Sequence, residues 1–192
     1  MGLFFSHNKE EGEGLGNGYL YNWYAANNTN FTPADWKLPS VSEYDILITN
    51  LGGSAIAGGK MKEAGFEHWL TPNTNASNLS GFTGFGSGRT TGVTFGEIKE
   101  GLYLHTTGDF GATVPRKLIR YNTENIANNN SVKYEGASVR LLYTGTGTPT
   151  TMSDYDGNTY DVIQIGSQYW TVQNWKCAHL NDGTPLTKVE NR

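Results

Sequence analysis

The stretch that most constrains this chain is "DYDGNTYDVIQIGSQYWTVQNW", Asp154 to Trp175. Asp156-Gly157-Asn158 is a tight-turn signal. Tyr160, Val162, Ile163 and Ile165 follow it, then a second turn at Gly166-Ser167, then Tyr169, Trp170 and Val172. The pattern predicts two short strands joined by a hairpin. It reads as the opening of a domain, yet the chain ends at Arg192, leaving too short a remainder to bury a core of its own.

A length of 192 residues suits one domain, or one plus a small extra. Only 36% of the residues are hydrophobic, but 12% are aromatic, so the core is expected to rest on large rings, Trp23, Trp36, Trp69, Trp170 and Trp175 among them. The 25 glycines imply many turns and few long helices. A net charge of −4 with no basic block argues against nucleic acid as a partner. The lone Cys177 rules out an intrachain disulfide or a CxxC metal site, and reads as a small buried hydrophobe. Residues 1–7 carry no basic region and no long apolar run, so no secretory signal is expected there. No stretch approaches the roughly eighteen apolar residues of a membrane span, so no membrane insertion is expected.

Along the chain, "GEGLGNG" (Gly12 to Gly18) is a glycine-rich loop without the strand and helix context of a nucleotide site. "YLYNWYAANN" (Tyr19 to Asn28) fits a strand or one helical turn. The clearest helix starts at a capping box, Ser40 with Glu43 three residues on. Val41, Tyr44, Ile48 and Leu51 give it an apolar stripe and Gly52-Gly53 end it. Gly58 to Gly101 reads as loop-rich structure pinned by Trp69, Phe82, Phe85 and Phe95. Strands are expected at Gly101 to Thr107, Arg116 to Tyr121 and Ser138 to Tyr143, with the Asn-rich "NTENIANNN" as a turn between the last two. Residues 144–153, "TGTGTPTTMS", read as a Thr/Gly linker.

"GYLYNWYAA", "DWKLPSVSEYDIL", "LGGSAIAGGKMKEAG", "HWLTPNTNASNLSGF" and "GASVRLLY" occur in an order that resembles the Fibrobacter succinogenes major paralogous domain. The opening stretch resembles it too. The family's D-x-D-G-N-x-Y hairpin, I-G-x-Q-x-W and N-D-G-T segments fall at Asp154 to Tyr160, Ile165 to Trp170 and Asn181 to Leu186. The resemblance implies an α+β, C-type-lectin-like, loop-rich fold of small antiparallel sheets with one clear helix at about 40–51. The order is rotated: residues 1–143 resemble the middle and end of the family, and residues 154–192 its beginning. In one reading the chain is a circular permutant. A ten-residue linker spans roughly 15–20 Å, enough to reach a neighbouring strand, and the hairpin then pairs with the strand near Ser138 to Tyr143. In another reading the segment completes a neighbouring subunit by strand exchange, giving a homo-oligomer. A piece of a tandem array would look the same.

The chemistry points away from catalysis. A formylglycine-generating type of enzyme, a remote alternative, needs reactive cysteines that Cys177 alone does not supply. His7, His68, His105 and His179 show no ligand spacing such as HExxH, and His68 beside Trp69 reads as structural. The motifs of calcium-dependent sugar sites are missing. The Asp154, Asp156, Asn158, Asp161 cluster fits an Asx-type turn better than a calcium loop. No cofactor or metal is expected.

The polar loops share the Tyr, Asn and Gly chemistry of paratopes. His105, Thr107 and Asp109 lie where the resemblance implies a ligand-facing surface. Arg120, Tyr121, Asn122, Asn128, Asn129 and Asn130 lie in or next to Asn122 to Tyr134, the zone before Gly136 to Arg140 where retroelement-diversified relatives of the fold vary. These nine are the candidate binding residues. The expected function is a non-catalytic binding or structural module, first as a phage virion protein (tail, fibre or capsid decoration) contacting a host-surface glycan or protein or other virion proteins. The alternative is a secreted or cell-surface adhesion or carbohydrate-binding protein of a Bacteroidetes-type bacterium.

Overall fold

A computed structural model describes residues 1–6, 18–92 and 94–189; His7 and most of the glycine-rich "GEGLGNG" loop lie outside the described residues. In chain order the elements are β1 (Leu3–Phe5), β2 (Leu20–Tyr21), α1 (Trp23–Ala26), β3 (Trp36–Lys37), α2 (Val41–Asn50) and α3 (Ala57–Met61). Then come β4 (Ser87–Thr90), β5 (Phe95–Ile98), β6 (Gly101–His105), β7 (Thr113–Arg120), β8 (Ile126–Val132) and β9 (Leu142–Tyr143). The last four are β10 (Thr151–Ser153), β11 (Thr159–Ile165), β12 (Gln168–Thr171) and β13 (Thr187–Val189). Among the described residues the chain is mostly small sheets, and α2 is the one helix of more than about a turn.

Helix α2 begins as its sequence dictates. Ser40 accepts from the Glu43 amide through its side chain, and the Glu43 carboxylate accepts from the Ser40 amide at 2.8 Å. Tyr44, Leu47, Ile48 and Leu51 face inward. Gly52 and Gly53 both take φ of +97°, a conformation costly for any residue with a Cβ. Tyr19 to Asn28 resolves into both of its expected forms: β2, then α1 capped by Asn22, whose side chain accepts from the Ala25 amide.

Three sheets form, ordered β13-β1-β2, β10-β11-β12-β9-β3 and β5-β4-β6-β7-β8. They are not wholly antiparallel: β1 runs parallel to β13, and β4 to β6. The stretch read as loop between 58 and 101 also holds α3 and the β4–β5 pair. Two clusters of buried side chains fill the interior. One joins Tyr44, Leu47, Trp69, Phe82, Leu102, Ile119 and Trp170. The other joins Tyr21, Phe31, Trp36, Val139, Tyr160, Trp175 and Cys177. Four tryptophans are buried as expected. Trp23 is only partly so, because α1 sits at the surface with the Lys133 ammonium 4.5 Å from the Trp23 ring.

The C-terminal hairpin enters both clusters. Strands β11 and β12 pair from Val162↔Thr171 to Ile165↔Gln168, around the turn at Gly166 with φ +62°. Strand β12 then pairs with β9 of the same chain through Trp170↔Leu142. The expected strand from Ser138 to Tyr143 shrinks to Leu142–Tyr143. Residues 137–141 instead run between sheets, bonding Tyr21, Tyr103, His105, Thr171 and Trp175 in turn, so no single ladder claims them. The linker is shorter than 144–153: Thr151–Ser153 pairs with β11, because Met152 has a buried slot to fill.

Removing residues 144–192 strips Ile165, Trp170, Trp175 and Tyr160 from the two clusters. The chain ending at Tyr143 is expected to show no cooperative thermal transition by circular dichroism. The full chain is expected to unfold in one transition independent of concentration. A stable folded 1–143, or a concentration-dependent midpoint, would instead assign the segment to a neighbour.

Candidate functional site

The β4–β8 sheet has two unlike faces because side chains alternate along each strand. Leu102, Leu104, Ile119 and Ile126 point toward α2 and the core. On the other face stand Tyr103 and His105 of β6, Arg116 and Arg120 of β7, and Asn129 and Ser131 of β8. The register sets Arg116 opposite both His105 and Asn129. With Arg89 of β4, Glu97 of β5 and Glu135, these side chains, His105 excepted, line a cleft of about 360 Å³.

A continuous ion-pair lattice holds the cleft. Arg89 Nε meets Glu97 Oε1 at 2.8 Å and Arg89 Nη1 meets Glu135 Oε2 at 3.3 Å. Arg116 Nη2 meets the same Glu135 oxygen at 3.2 Å and donates to Asn129 Oδ1 at 3.2 Å. Arg120 Nη1 meets Glu97 Oε2 at 2.9 Å, and its Nη2 donates to the Tyr103 hydroxyl at 3.0 Å. That hydroxyl donates to Glu97 Oε2 at 2.5 Å, and Ser131 donates to Glu135. The Arg89 and Arg116 guanidiniums lie 5.7 and 5.2 Å from the Tyr103 ring centre, within cation–π range.

The lattice fixes charge states. Burial pushes the Glu97 carboxyl up, but hydrogen bonds from Tyr103 and Arg89 and the nearby guanidinium charges outweigh it and hold its pKa below the ordinary value. Burial, then Glu97, push the Tyr103 hydroxyl up to about 12. Arg116 is pulled down chiefly by burial, with Glu135 opposing.

Of the nine expected binding residues, Arg120, Asn129 and Asn130 line the cleft. Asn128, one step along β8, points to the opposite face, where Lys117 Nζ donates to Asn128 Oδ1 at 2.7 Å and to Asp45 Oδ1 at 2.6 Å. These asparagines form a strand rather than the expected turn, because β7 offers a full antiparallel ladder. His105 is not presented to a ligand. It is fully buried under β2, its Nε2 2.7 Å from the Tyr21 carbonyl. Burial first, then the Arg116 charge, lower its pKa to about 3. Thr107 donates its amide to the Pro39 carbonyl at 2.8 Å, beside the start of α2. Asp109 caps a surface turn, accepting from the Gly111 amide and the Lys133 ammonium. Tyr121 packs against the first core cluster, and Asn122 is exposed beyond the end of β7. Arg89, Glu97, Tyr103, Arg116 and Glu135 were missed. For Tyr103 and Arg116 the one sequence signal is alternation within "GLYLH" and "TVPRKLIR"; Arg89, Glu97 and Glu135 carry none.

Three other features bear on chemistry. Glu63, Glu67 and His68 bring ligand atoms within 4.8 Å of one another, but His68 pairs with Glu63 at 2.8 Å and packs at a tilt against Phe85, a structural use of the ring. Both Asp154 oxygens are taken up by Asn158 and Tyr160, which is the Asx-type turn expected. Cys177 is buried, and burial pushes its thiol up to about 12.

With this geometry the chain is defined as a β-rich protein with a polar, ion-paired cleft. It belongs to the Fibrobacter succinogenes major domain family, whose model matches residues 3–143. The match contains every residue of the cleft, while the segment from Asp154 onward lies outside it. No curated protein and no solved structure matches the chain closely enough to count as a relative.

The buried His105 generates a pH dependence. Its pKa is lowered from 6.5 to about 3 in the folded chain, so between those values the unfolded state binds a proton that the folded state refuses. Stability therefore falls as pH drops through that window, by about 1.4 kcal/mol per pH unit from this group. Urea unfolding at about pH 7 and pH 4.5 is expected to show a smaller loss for His105→Gln than for the natural sequence.

Proposed function

We propose that the chain is a non-catalytic binding module with a C-type-lectin-like fold, and that its ligand sits in the cleft on the β4–β8 sheet. The observation that carries the binding reading is the charge state of the cleft. General acid–base catalysis needs a group whose pKa lies near the working pH. Glu97 is held below its ordinary range and Tyr103 far above neutrality, and no histidine opens into the cleft. Side chains locked in place by mutual ion pairs give a preformed surface, which lowers the cost of ordering on binding. The lectin-like reading is supported by the parallel pairing of β1 with β13, which brings the first and last strands together, and by the single main helix against a loop-rich body. The same pairing, with that of β12 and β9, supports reading residues 154–189 as the first part of the fold placed last.

The setting we propose is the outside of a phage particle, motivated by the glycine-rich aromatic body and the rotated order. Immunogold labelling of purified particles tests it, and particles free of label would exclude it. Asn130→Ala and Arg120→Gln change exposed or half-exposed positions. Both are expected to keep the thermal midpoint within a few degrees and to weaken attachment of the purified protein to host cells in a pull-down. Unchanged attachment by both would place the ligand elsewhere.

A further inference from the structure

We infer that the ligand of this cleft is a saccharide bearing a carboxylate, such as a uronic or sialic acid; this rests on the cleft being the binding site. Charge is the first argument. Three guanidiniums (Arg89, Arg116, Arg120) face two carboxylates (Glu97, Glu135), leaving one positive charge in surplus on a chain whose net charge is −4. The local sign is the reverse of the global one.

Arg116 is the second argument. Its side chain is 2% exposed and it lines the cleft. Its Nη2 is bonded, but Nε and Nη1 are enclosed with no hydrogen-bond partner. The carboxylate facing it, Glu135, is shared with Arg89 and Ser131, so its charge is divided. A buried cation balanced only in part is costly, and an anion close by offsets that cost. The direct contact falls to Arg120, whose side chain is 40% exposed and whose planar fork matches a carboxylate.

The third argument separates a sugar acid from an acidic peptide. Val132 is the one aliphatic side chain lining the cleft; the rest of its wall is amide, hydroxyl, ion pair and the Tyr103 ring. Such a wall pairs with a row of hydroxyls and offers no slot for an apolar side chain. The Tyr103 ring is the one aromatic face that lines the cleft.

The test is an NMR titration of the full chain, following backbone amides and arginine Nε–H signals. The probes are digalacturonic acid, its dimethyl ester, N-acetylneuraminic acid and glycylglycine. The ester keeps the rings and removes the charge; the dipeptide keeps a carboxylate and removes the sugar. At least one sugar acid is expected to shift the Arg120 and Asn129 signals. Digalacturonic acid is expected to bind on the order of tenfold tighter than its ester, with the gap closing at high salt. Arg120→Gln is expected to abolish the gap while leaving the remaining spectrum in place. Equal binding of acid and ester overturns the carboxylate and leaves the site standing. Equal binding of glycylglycine and the sugar acids overturns the saccharide. No shift in the cleft from any sugar overturns the inference altogether, and the cell-attachment assay then decides separately whether the cleft binds anything.

Discussion

The Arg140 guanidinium, fully buried, is the tie on which the rest of the structure hangs. It donates to the carbonyls of Phe82 at 2.7 Å, Thr83 at 2.9 Å, Thr171 at 3.0 Å and Val172, and to Asn174 Oδ1 at 2.6 Å. Phe82 and Thr83 belong to the loop-rich body; Thr171 to Asn174 belong to the C-terminal hairpin. Burial works against the charge, but a guanidinium stays protonated, so it must be surrounded by acceptors. The carbonyls need it in turn, since a buried unpaired backbone group costs about as much as a lost hydrogen bond. Around it pack Phe82, with its ring under the guanidinium, and Trp170, which also meets Tyr44 of α2 at 4.9 Å between centroids. Helix, loop body and hairpin therefore converge on one cation.

Lys62 repeats the device. It is fully buried, and its ammonium donates to the carbonyls of Thr74, Arg120, Tyr121 and Thr123. Burial pulls its pKa down to about 8. A chain with 36% hydrophobic residues and 25 glycines has much irregular backbone to satisfy. Two buried cations, each gathering carbonyls from separate loops, do for that backbone what strand ladders do elsewhere. Lys62 also fixes the end of β7, so the position of Arg120 at the cleft mouth depends on a side chain on the far side of the sheet.

What was legible in the sequence was local. The capping box at Ser40 and Glu43, the glycine stop at Gly52-Gly53 and the hairpin turn at Gly166 involve residues a few positions apart, and their chemistry is fixed by residue type. The cleft was illegible for the opposite reason. Its ion pairs join residues such as Arg89 and Glu135, brought together only by a five-stranded sheet with a parallel step between β4 and β6. Arg120, Asn129 and Asn130 line the cleft and lie in or next to the zone before Gly136, but nothing local in the sequence shows their partners. Asn128 is held on the helix side by Lys117, a contact across the β7–β8 ladder that no local pattern shows. The burial of His105 is a matter of tertiary cover: its strand position faces the cleft side, but β2 lies over it.

The division of labour between the two parts of the chain follows from these contacts. Every side chain lining the cleft lies between Arg89 and Glu135, and the C-terminal segment contributes none. The two communicate through residues 138–140: Ser138 bonds His105 and Tyr103 through its backbone and Ser87 through its hydroxyl, and Arg140, two residues on, holds the hairpin. Placing the hairpin last instead of first changes which covalent bond joins it to the body. It leaves the Arg140 cage and the β9–β12 pairing untouched, because both are made in space and not along the chain. A rotated order, as proposed here, thus asks nothing of the cleft, whose lining residues all lie between Arg89 and Glu135.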